Sequence, residues 1–217
     1  GEIIHIIGRD IIQHHAVFWP AMLKGSGFSE PRAIMATGFV NLNKKAFSTS
    51  RNRAIWVNDY LDEKFDSDLL RYYLVTVGGL QDDIDFSWSH FADKINGELV
   101  GNIGNFIYRS LLFAHREYGG TPKKQVSDAV KDRIQEAIDE FSISLHNYSL
   151  RNSALSAMKL AQYGNAYIQQ NEPWNLKKSD PERMKVILFS ICEQIKNISI
   201  LLNPIIPNAS ARVLSTM

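Results

Sequence analysis

The sequence contains very little cysteine and no long apolar run. Its 217 residues include a single cysteine, Cys192, which excludes an intramolecular disulfide framework and a structural zinc site of four cysteines. Uninterrupted runs of aliphatic and aromatic residues, such as 186–189, are a few residues long, whereas a membrane-spanning helix needs about 20. The N-terminus lacks the basic stretch, apolar core and small-residue cleavage site of a secretory signal. These absences predict a soluble, cytoplasmic protein that binds neither structural zinc nor a membrane.

The chain also lacks a large excess of charge of either sign. It has 24 Lys and Arg against 23 Asp and Glu, a formal net charge of +1. Residues 1–95 hold 10 basic and 12 acidic side chains, whereas residues 96–217 hold 14 and 11. An imbalance this small does not by itself indicate nucleic-acid binding. With 45% hydrophobic and 22% charged residues, the composition is that of an ordinary globular protein.

The first 40 residues predict one strand–helix–strand unit. Four isoleucines flank His5 and the run ends at Gly8, which is typical of a buried strand in a parallel sheet. Apolar residues at helical spacing follow up to Gly25, and residues 33–39 predict a second strand. Because one such unit leaves both faces of its sheet uncovered, the sequence is expected to begin within a larger fold.

A polar segment follows these strands. Residues 41–53 read NLNKKAFSTSRNR, a basic, hydroxyl-rich stretch that predicts an exposed loop. Short helices are predicted through residues 55–80. The acidic stretch 81–88 is predicted as a loop or an edge strand.

From residue 90 onward, apolar residues recur at spacings of three and four, the pattern of amphipathic helices. Ile95, Leu99 and Ile103 begin one such series. Turn-forming residues interrupt the pattern at 119–124, 146–153 and 171–183. Four or five helices in an antiparallel bundle are therefore predicted, so the protein is mainly α with a remnant α/β unit at its start.

Asp10 lies just past the carboxyl end of the first predicted strand, the edge at which open α/β sheets bind ligands. Gly8 allows a ligand to approach the backbone closely. The alternative, which position alone favours, is that Asp10 caps the following helix.

Three residues of the next predicted helix share one face. Ile11, His15 and Trp19 are spaced by four, so their side chains project together, with His14 next to them. A histidine beside two large apolar groups is more often a core residue with a satisfied hydrogen bond than a ligand-binding residue.

The F-S-T-S-R segment combines hydroxyls with positive charge. A loop of this content suits a phosphate chain, because it supplies charge where negative charge develops. The alternative is a merely solvated loop. The side chains concerned are Ser48, Thr49, Ser50, Lys44, Lys45, Arg51 and Arg53.

Asn105 and Arg109 are four residues apart on a predicted helix, and Trp174 stands between Pro173 and a new helix. An amide, a guanidinium and an aromatic ring are what single-stranded bases require for hydrogen bonding and stacking. The alternative is two ordinary helix residues and a tryptophan that fills the core.

The order of these motifs resembles the methionyl-tRNA synthetases, a family of class I aminoacyl-tRNA synthetases. The resemblance rests on H-I-I-G-R-D-I-I-x-H-H-x-x-F-W-P-A-M-L, then F-S-T-S-R, G-N-x-x-N-F-x-x-R and N-E-P-W. It extends from Ile3 to about Pro207. The first and last blocks are specific to the methionine enzymes, whereas the F-S-T-S loop is shared across class I.

The resemblance implies an enzyme that uses ATP, with Mg²⁺, to attach methionine to tRNA(Met). The family's aromatic-rich helix forms part of the methionine pocket, which implies substrate contacts at Ile11, His14, His15 and Trp19. At His14 the bacterial pattern has a phenylalanine. The implied nucleotide-binding residues are Gly8, Asp10 and Phe47.

The same resemblance implies that Asn105, Arg109 and Trp174 recognise the CAU anticodon. It also implies three regions. These are a partial Rossmann-like catalytic domain over residues 1–42, a signature loop with a stem-contact region over residues 43–95, and a helical anticodon-binding domain over residues 96–217.

The signature loop, KMSKS in the family, departs from the pattern in this chain. It corresponds to residues 46–50, and Ala46 and Thr49 replace its two lysines, which stabilise the pyrophosphate leaving group. Lys45 or Arg51 is expected to supply this charge, beside the hydroxyls of Ser48, Thr49 and Ser50.

The family's His-x-Gly-His tetrad and its zinc knuckle do not occur in this sequence. We therefore expect the chain to be the C-terminal part of the ligase, inactive in adenylate formation on its own; an N-terminal half on a separate chain is one partner that the resemblance allows. Two alternatives stay open. One is a stand-alone, non-catalytic module that binds tRNA or a protein. The other is a class I synthetase for leucine, isoleucine, valine or cysteine, which the F-W-P-A-M-L and N-E-P-W segments disfavour.

Overall fold

A parallel pair of strands opens the fold. The computed structural model describes residues 2–48 and 50–217. In it β1 (Ile4–Gly8) pairs in parallel with β2 (Ala33–Thr37), and the helix α1 (Trp19–Gly25) lies between them along the chain. A 3₁₀ turn (Arg9–Ile11) and a π-helical turn (His14–Phe18) precede α1. The predicted strand–helix–strand unit is therefore confirmed.

The prediction that β1 is buried on both sides is wrong. Ile7 is buried, whereas the side chain of Ile6 is 65% exposed. Successive side chains of a strand point to opposite faces. Ile4 and Ile6 lie on one face of β1 and are exposed, whereas Ile7 lies on the opposite face and is buried, so only one face of β1 is covered.

The prediction that residues 41–53 form a loop is wrong for residues 41–46. β3 (Val40–Leu42) and β4 (Lys45–Ala46) form an antiparallel hairpin. Asn43 and Lys44 close it with positive φ angles of 50° and 61°, the conformation of the two-residue type I′ turn that matches strand twist. The sequence did not predict this hairpin, because its side chains are polar and its hydrogen bonds join backbone atoms, which leave no pattern in the residue types.

β5 (Ile84–Phe86) completes this second sheet. It pairs in parallel with β3, giving the order β4-β3-β5, and thus forms an edge strand within the stretch 81–88, as predicted. Its side chains Ile84 and Phe86 are buried, which attaches the sheet to the helical part of the molecule.

Helices make up the rest of the structure, as predicted. Gly79 follows the helix Ser67–Gly78 and Gly119 follows the helix Asn105–Tyr118, both in the left-handed conformation that ends helices. The helix Pro181–Leu202 is capped by Asp180, whose carboxylate accepts the N–H of Arg183 at 3.0 Å. The helices are α2 (Val57–Asp62), α3 (Ser67–Gly78), α4 (Trp88–Lys94), α5 (Asn105–Tyr118), α6 (Asp128–His146), α7 (Leu150–Asn171), α8 (Pro181–Leu202) and α9 (Pro207–Ser215).

One feature of these helices breaks the 3.6-residue pattern. A π-helical segment, Ile95–Gly104, joins α4 to α5 without a turn between them. π-helical turns are rare and often lie at functional sites. This one leads directly to Asn105, the first residue of α5.

The core is formed around α7 and α8. Ala154, Ala157 and Ala161 of α7 are completely buried, and their small side chains allow neighbouring helices to pack closely. Tyr72 of α3 joins the same core, because its hydroxyl donates to Sδ of Met158 at 3.0 Å. In the described residues, no helix is both long and apolar enough to span a bilayer.

Candidate functional site

Gly8 and Asp10 lie together at the carboxyl end of β1. A Cβ placed on Gly8 would be 2.5 Å from Oδ1 of Asp10, so the absence of a side chain at Gly8 makes room for this carboxylate. Within the described structure, the turns that follow β1 receive no side-chain capping bond at their first residues. The exposed Asp10 carboxylate therefore remains at the edge where a ligand would bind, and the capping alternative gains no support.

The predicted methionine pocket contains two histidines that contact other rings and two apolar side chains that are exposed. Nδ1 of His15 lies 3.1 Å from Nδ1 of His5 on β1, with the rings edge to face. The ring of His14 packs edge to face against Phe18, with centroids 5.6 Å apart. Ile11 and Trp19 are about two-fifths exposed, at 40% and 41%. His15 thus has a hydrogen-bond partner, as a core histidine would, but the face that it shares with Trp19 is open.

His5 contacts His15, a predicted site residue, and sequence reasoning did not predict this contact. Since the two Nδ1 atoms are within hydrogen-bond distance, one ring donates and the other accepts. This contact requires at least one of the two nitrogens to carry a proton. A single histidine within a run of isoleucines was the only sequence signal for it.

Arg53 forms hydrogen bonds that join the two ends of the hydroxyl-rich segment. Its backbone pairs in both directions with Ser48, at 2.8 and 2.9 Å, and its Nε donates to the carbonyl of Ala46 at 2.9 Å. Oγ of Ser48 lies 3.3 Å from Oγ of Ser50. The two serines named as catalytic candidates are therefore brought together.

The other candidates of this segment are less constrained. Lys45 and Arg51 are exposed and Phe47 is half-buried. Thr49, also predicted as a catalytic residue, lies outside the described residues. The described part of the segment thus presents two hydroxyls and three exposed cations, Lys44, Lys45 and Arg51, an arrangement able to bind a polyanion through charge.

Arg109 is anchored by a residue of a different helix. Its Nη2 donates to Oδ1 of Asn165 at 3.0 Å and to the backbone carbonyl of the same residue at 3.4 Å. Nδ2 of Asn165 in turn donates to Oδ1 of Asn102 at 3.0 Å. Asn105, one turn before Arg109, is exposed. Asn165 and Asn102 were not predicted as site residues, although Asn102 lies within the G-N-x-x-N motif.

Trp174 is exposed, which rules out the core-filling alternative. It lies in a 3₁₀ turn, Pro173–Leu176, and 43% of its surface is accessible. The preceding Glu172 has a left-handed backbone, with φ 40° and ψ 57°, while Pro173 is buried. The chain thus bends sharply after α7 and presents the indole at the end of this helix.

An ion pair ties this turn to α5. Nζ of Lys177 lies 2.7 Å from Oε2 of Glu117. The hydrogen bond from Lys177 lowers the pKa of Glu117 below its ordinary value, and Arg116 contributes in the same direction. Glu117 is eight residues beyond Arg109, about 12 Å along the helix axis. The turn of Trp174 is thus connected to the helix that carries Asn105 and Arg109.

Metal binding receives no support from the described residues. Residues 2–48 and 50–217 contain no group of three or more His, Cys, Asp and Glu side chains that could hold a metal ion. Cys192 is buried in α8. Its desolvation raises the pKa of this thiol to about 11, which keeps it protonated at neutral pH.

The strand–helix–strand unit, the hydroxyl-rich loop and the helical bundle occur in the order of a class I aminoacyl-tRNA synthetase. Residues 1–111 match the family model described as "tRNA synthetases class I (M)". Residues 118–217 match the model of the "anticodon binding domain of methionyl tRNA ligase". The chain belongs to the methionyl family of class I tRNA synthetases.

Archaeal methionine–tRNA ligases are similar over nearly the whole chain. The protein of Haloquadratum walsbyi is 58% identical over 213 residues, which are 98% of this chain and 29% of that protein. The protein of Haloarcula marismortui is 54% identical, over 98% of this chain and 30% of that protein. The chain therefore spans about 30% of the length of these relatives.

A solved structure confirms the arrangement of elements. The chain superimposes on Mycobacterium tuberculosis methionyl-tRNA synthetase in complex with methionyl-adenylate with a TM-score of 0.89. The identity is 27%, over 97% of this chain and 43% of that chain. The predicted fold, a partial α/β unit followed by a helical bundle, is thus confirmed, whereas the predicted domain boundaries stay a prediction.

Proposed function

We propose that this chain is the anticodon-reading part of a methionine–tRNA ligase, and that the protein to which it belongs attaches methionine to tRNA(Met) with ATP. The observation that carries this proposal is that one helical bundle holds both an anchored guanidinium and an exposed indole. Arg109 is fixed by Asn165, and Trp174 is presented at the end of α7. We infer the reaction from family membership and the recognition of the anticodon from these side chains.

The proposed recognition uses hydrogen bonds and stacking. Asn105 and Arg109 would bind the edges of the unstacked CAU bases, and Trp174 would stack on one of them. An amide both donates and accepts, whereas a guanidinium only donates, so together they distinguish bases by the pattern on their edges. The bundle, residues 96–217, would form the anticodon-binding domain.

We further propose that residues 1–42 form part of the site for methionine and ATP. The M. tuberculosis relative is bound to methionyl-adenylate, and the same ligand would lie here over Gly8 and Asp10, beside Phe47. Its methionyl side chain would contact the open face formed by the four residues of the predicted pocket. These four are Ile11, His14, His15 and Trp19.

Pyrophosphate release would depend on charge rather than on covalent chemistry. Lys45 and Arg51 are exposed cations of the same segment as the two clustered serines, Ser48 and Ser50. We propose that one or both replace the lysines missing at Ala46 and Thr49. The nucleotide would enter with Mg²⁺ held by its phosphates. The ligase would act in the cytoplasm.

The decisive experiment measures binding of this chain to a CAU anticodon stem–loop at two salt concentrations. The comparison is a stem–loop of the same sequence with a changed anticodon. We expect tighter binding of CAU at both salt concentrations, and loss of this preference in Trp174→Ala. Trp56→Ala is the matched control: Trp56 is similarly exposed, at 51%, and precedes α2 in the predicted stem-contact region, so its loss should affect both stem–loops alike and leave the preference for CAU unchanged. Equal, strongly salt-dependent binding of both stem–loops would indicate phosphate attraction alone and refute anticodon reading.

A second candidate function is a non-catalytic module that binds tRNA or a protein. Ala46, at a position where the signature loop of the family has a lysine, favours it. We expect the isolated chain to show no methionine-dependent exchange of pyrophosphate into ATP, and addition of a synthetase N-terminal half to restore exchange if the chain belongs to a ligase. Absence of exchange in the reconstituted pair would favour the non-catalytic module. If exchange is restored, Lys45→Ala and Arg51→Ala test the proposed charge replacement.

A further inference from the structure

We propose that Asn165 is a positioning residue for anticodon reading: it sets the orientation of the Arg109 guanidinium and thereby the specificity of the site. This inference rests on the proposed function, because it assigns a role to a residue behind the predicted base-reading side chain. Asn165 lies on α7, 56 residues from Arg109 in the sequence.

Both ends of the Asn165 side chain are engaged. Oδ1 accepts from Nη2 of Arg109 at 3.0 Å, and Nδ2 donates to the carbonyl and to Oδ1 of Asn102 at 3.2 and 3.0 Å. Arginine can only donate, so the oxygen of the amide must face Arg109 and the nitrogen must face Asn102. The contacts thus allow one orientation of the amide and one position for the guanidinium nitrogen that it binds.

The anchored guanidinium is not fully satisfied. Nε of Arg109 is buried and has no hydrogen-bond partner among the residues that the structure describes. A buried donor without an acceptor is destabilising, and such groups in native proteins call for an explanation. Because Nε is buried, a base can reach the guanidinium only through its terminal nitrogens, and Asn165 fixes the position of one of these.

Close approach of two helices places Asn165 within reach of Arg109. A Cβ on the neighbouring Gly164 would lie 2.3 Å from the ring of Phe106, which is completely buried. Only a glycine at this position lets α7 pack directly against that ring. Gly164 therefore sets the short distance between the two helices. At this distance the side chain of Asn165 can bind Arg109.

The same contacts connect Asn165 to the π-helical segment. Asn102 is the third residue from the end of Ile95–Gly104, and its carbonyl accepts from Asn165 at 3.2 Å. Asn105, the other predicted base reader on this helix, follows three residues later. Asn165 thus holds the backbone before one reader and the side chain of the other.

The experiment compares Asn165→Ala with Asn165→Asp, using the ratio of affinities for the CAU and changed-anticodon stem–loops. In Asn165→Ala we expect this ratio to fall by about tenfold, within the range for one lost base-edge contact. Asp keeps an acceptor for Arg109, so Asn165→Asp should retain most of the preference. The added negative charge of Asp should weaken the binding of both stem–loops equally, so this effect cancels in the ratio of affinities.

Two controls separate positioning from a merely structural role. Asn197→Ala removes a half-buried amide that bonds its own helix at 2.8 Å, far from Arg109 in sequence, and should leave the ratio unchanged. In an Arg109→Ala background, Asn165→Ala should cause a much smaller loss of preference than in the unmodified chain, limited to the effect on Asn105 through Asn102. Thermal unfolding of each variant verifies that the protein remains folded.

The outcomes distinguish this inference from the proposed function. If the unmodified chain prefers CAU and Arg109→Ala loses that preference while Asn165→Ala keeps it, the positioning role is refuted and anticodon reading stands. Equal loss in Asn165→Asp and Asn165→Ala would also refute it, because the acceptor would then be irrelevant. If the unmodified chain shows no preference for CAU, both proposals fail.

Discussion

The backbone N–H of Phe39 donates to the carboxylate of Asp83 over 2.6 Å, across 44 residues of sequence. The same carboxylate oxygen accepts from the guanidinium of Arg9, which also lies over the Phe39 ring at 5.0 Å. Arg9 stands between Gly8 and Asp10, the predicted nucleotide contacts. A single carboxylate thus connects the predicted nucleotide-binding edge to the segment that leads into the helices.

This connection predicts the effect of removing the Asp83 carboxylate. Asp83→Ala should lower the free energy of unfolding by about 1–2 kcal/mol, because it removes the acceptor of Phe39 N–H and an exposed ion pair. Asp83→Asn keeps an acceptor and should cost about half as much. Urea denaturation measures both, with Asp93→Ala on the exposed side of α4 as the control. An unchanged midpoint in Asp83→Ala would show that the connection contributes nothing.

A second carboxylate fixes the last helix. Asp68 is buried in α3 and accepts the N–H of Ala209 at 2.7 Å and Nδ2 of Asn208 at 3.3 Å. Asp68→Ala leaves the first turn of α9 without this partner and should cost about 2–3 kcal/mol. Thermal unfolding checks the loss, and hydrogen exchange of α9 locates it. The exposed Asp62 supplies the control, and Asp62→Ala should behave as the unmodified protein.

Two glycine substitutions should have opposite effects. In Gly164→Ala the new methyl group would overlap the buried Phe106 ring, so α5 and α7 must separate, at a cost of about 1–3 kcal/mol. Nothing lies within 4 Å of the position that a Cβ would take on Gly97. Gly97→Ala should therefore stabilise the helix by up to about 1 kcal/mol. Denaturant midpoints of the two variants test this; a stabilised Gly164→Ala protein would contradict the close packing.

Cys192 should report global unfolding. Its thiol is buried and its pKa is raised from 9.0 to about 11, so thiol reagents at pH 8 should modify it only when the bundle opens. The folded protein retains the thiol proton to a higher pH than the unfolded chain. The free energy of unfolding therefore decreases as the pH rises from about 9 to about 11. Labelling rates measured with and without urea test this. Rapid labelling of the native protein would show that α8 opens locally.

Several features could be predicted because they depend on neighbours in the sequence. Apolar residues at three- and four-residue spacing predicted the bundle, and Gly79, Gly119 and Pro181 mark helix ends for local conformational reasons. The spacing of Asn105 and Arg109 placed both on one helix. The hairpin of residues 40–46 was missed, since its hydrogen bonds involve the backbone and its turn residues, Asn43 and Lys44, gave only a weak signal.

Other features depended on partners that the sequence does not bring together. The contact of His5 with His15, the anchoring of Arg109 by Asn165, and the ion pair of Glu117 with Lys177 each join separate elements. Which asparagine or glutamate meets which cation is decided by helix crossing and separation. These in turn depend on the packing of residues such as Gly164 against Phe106.

The sequence by itself determined the secondary-structure classes, the family and the residue types available for binding, because periodicity, turn residues and motif order are properties of the linear chain. The tertiary structure alone decided which of those side chains are anchored by a hydrogen bond, which are exposed and which form ion pairs with another element. Arg109 and Trp174 illustrate the difference. A guanidinium gains a fixed orientation only when an acceptor from another helix is in reach, and an indole becomes a stacking surface only when the chain bends away from the core.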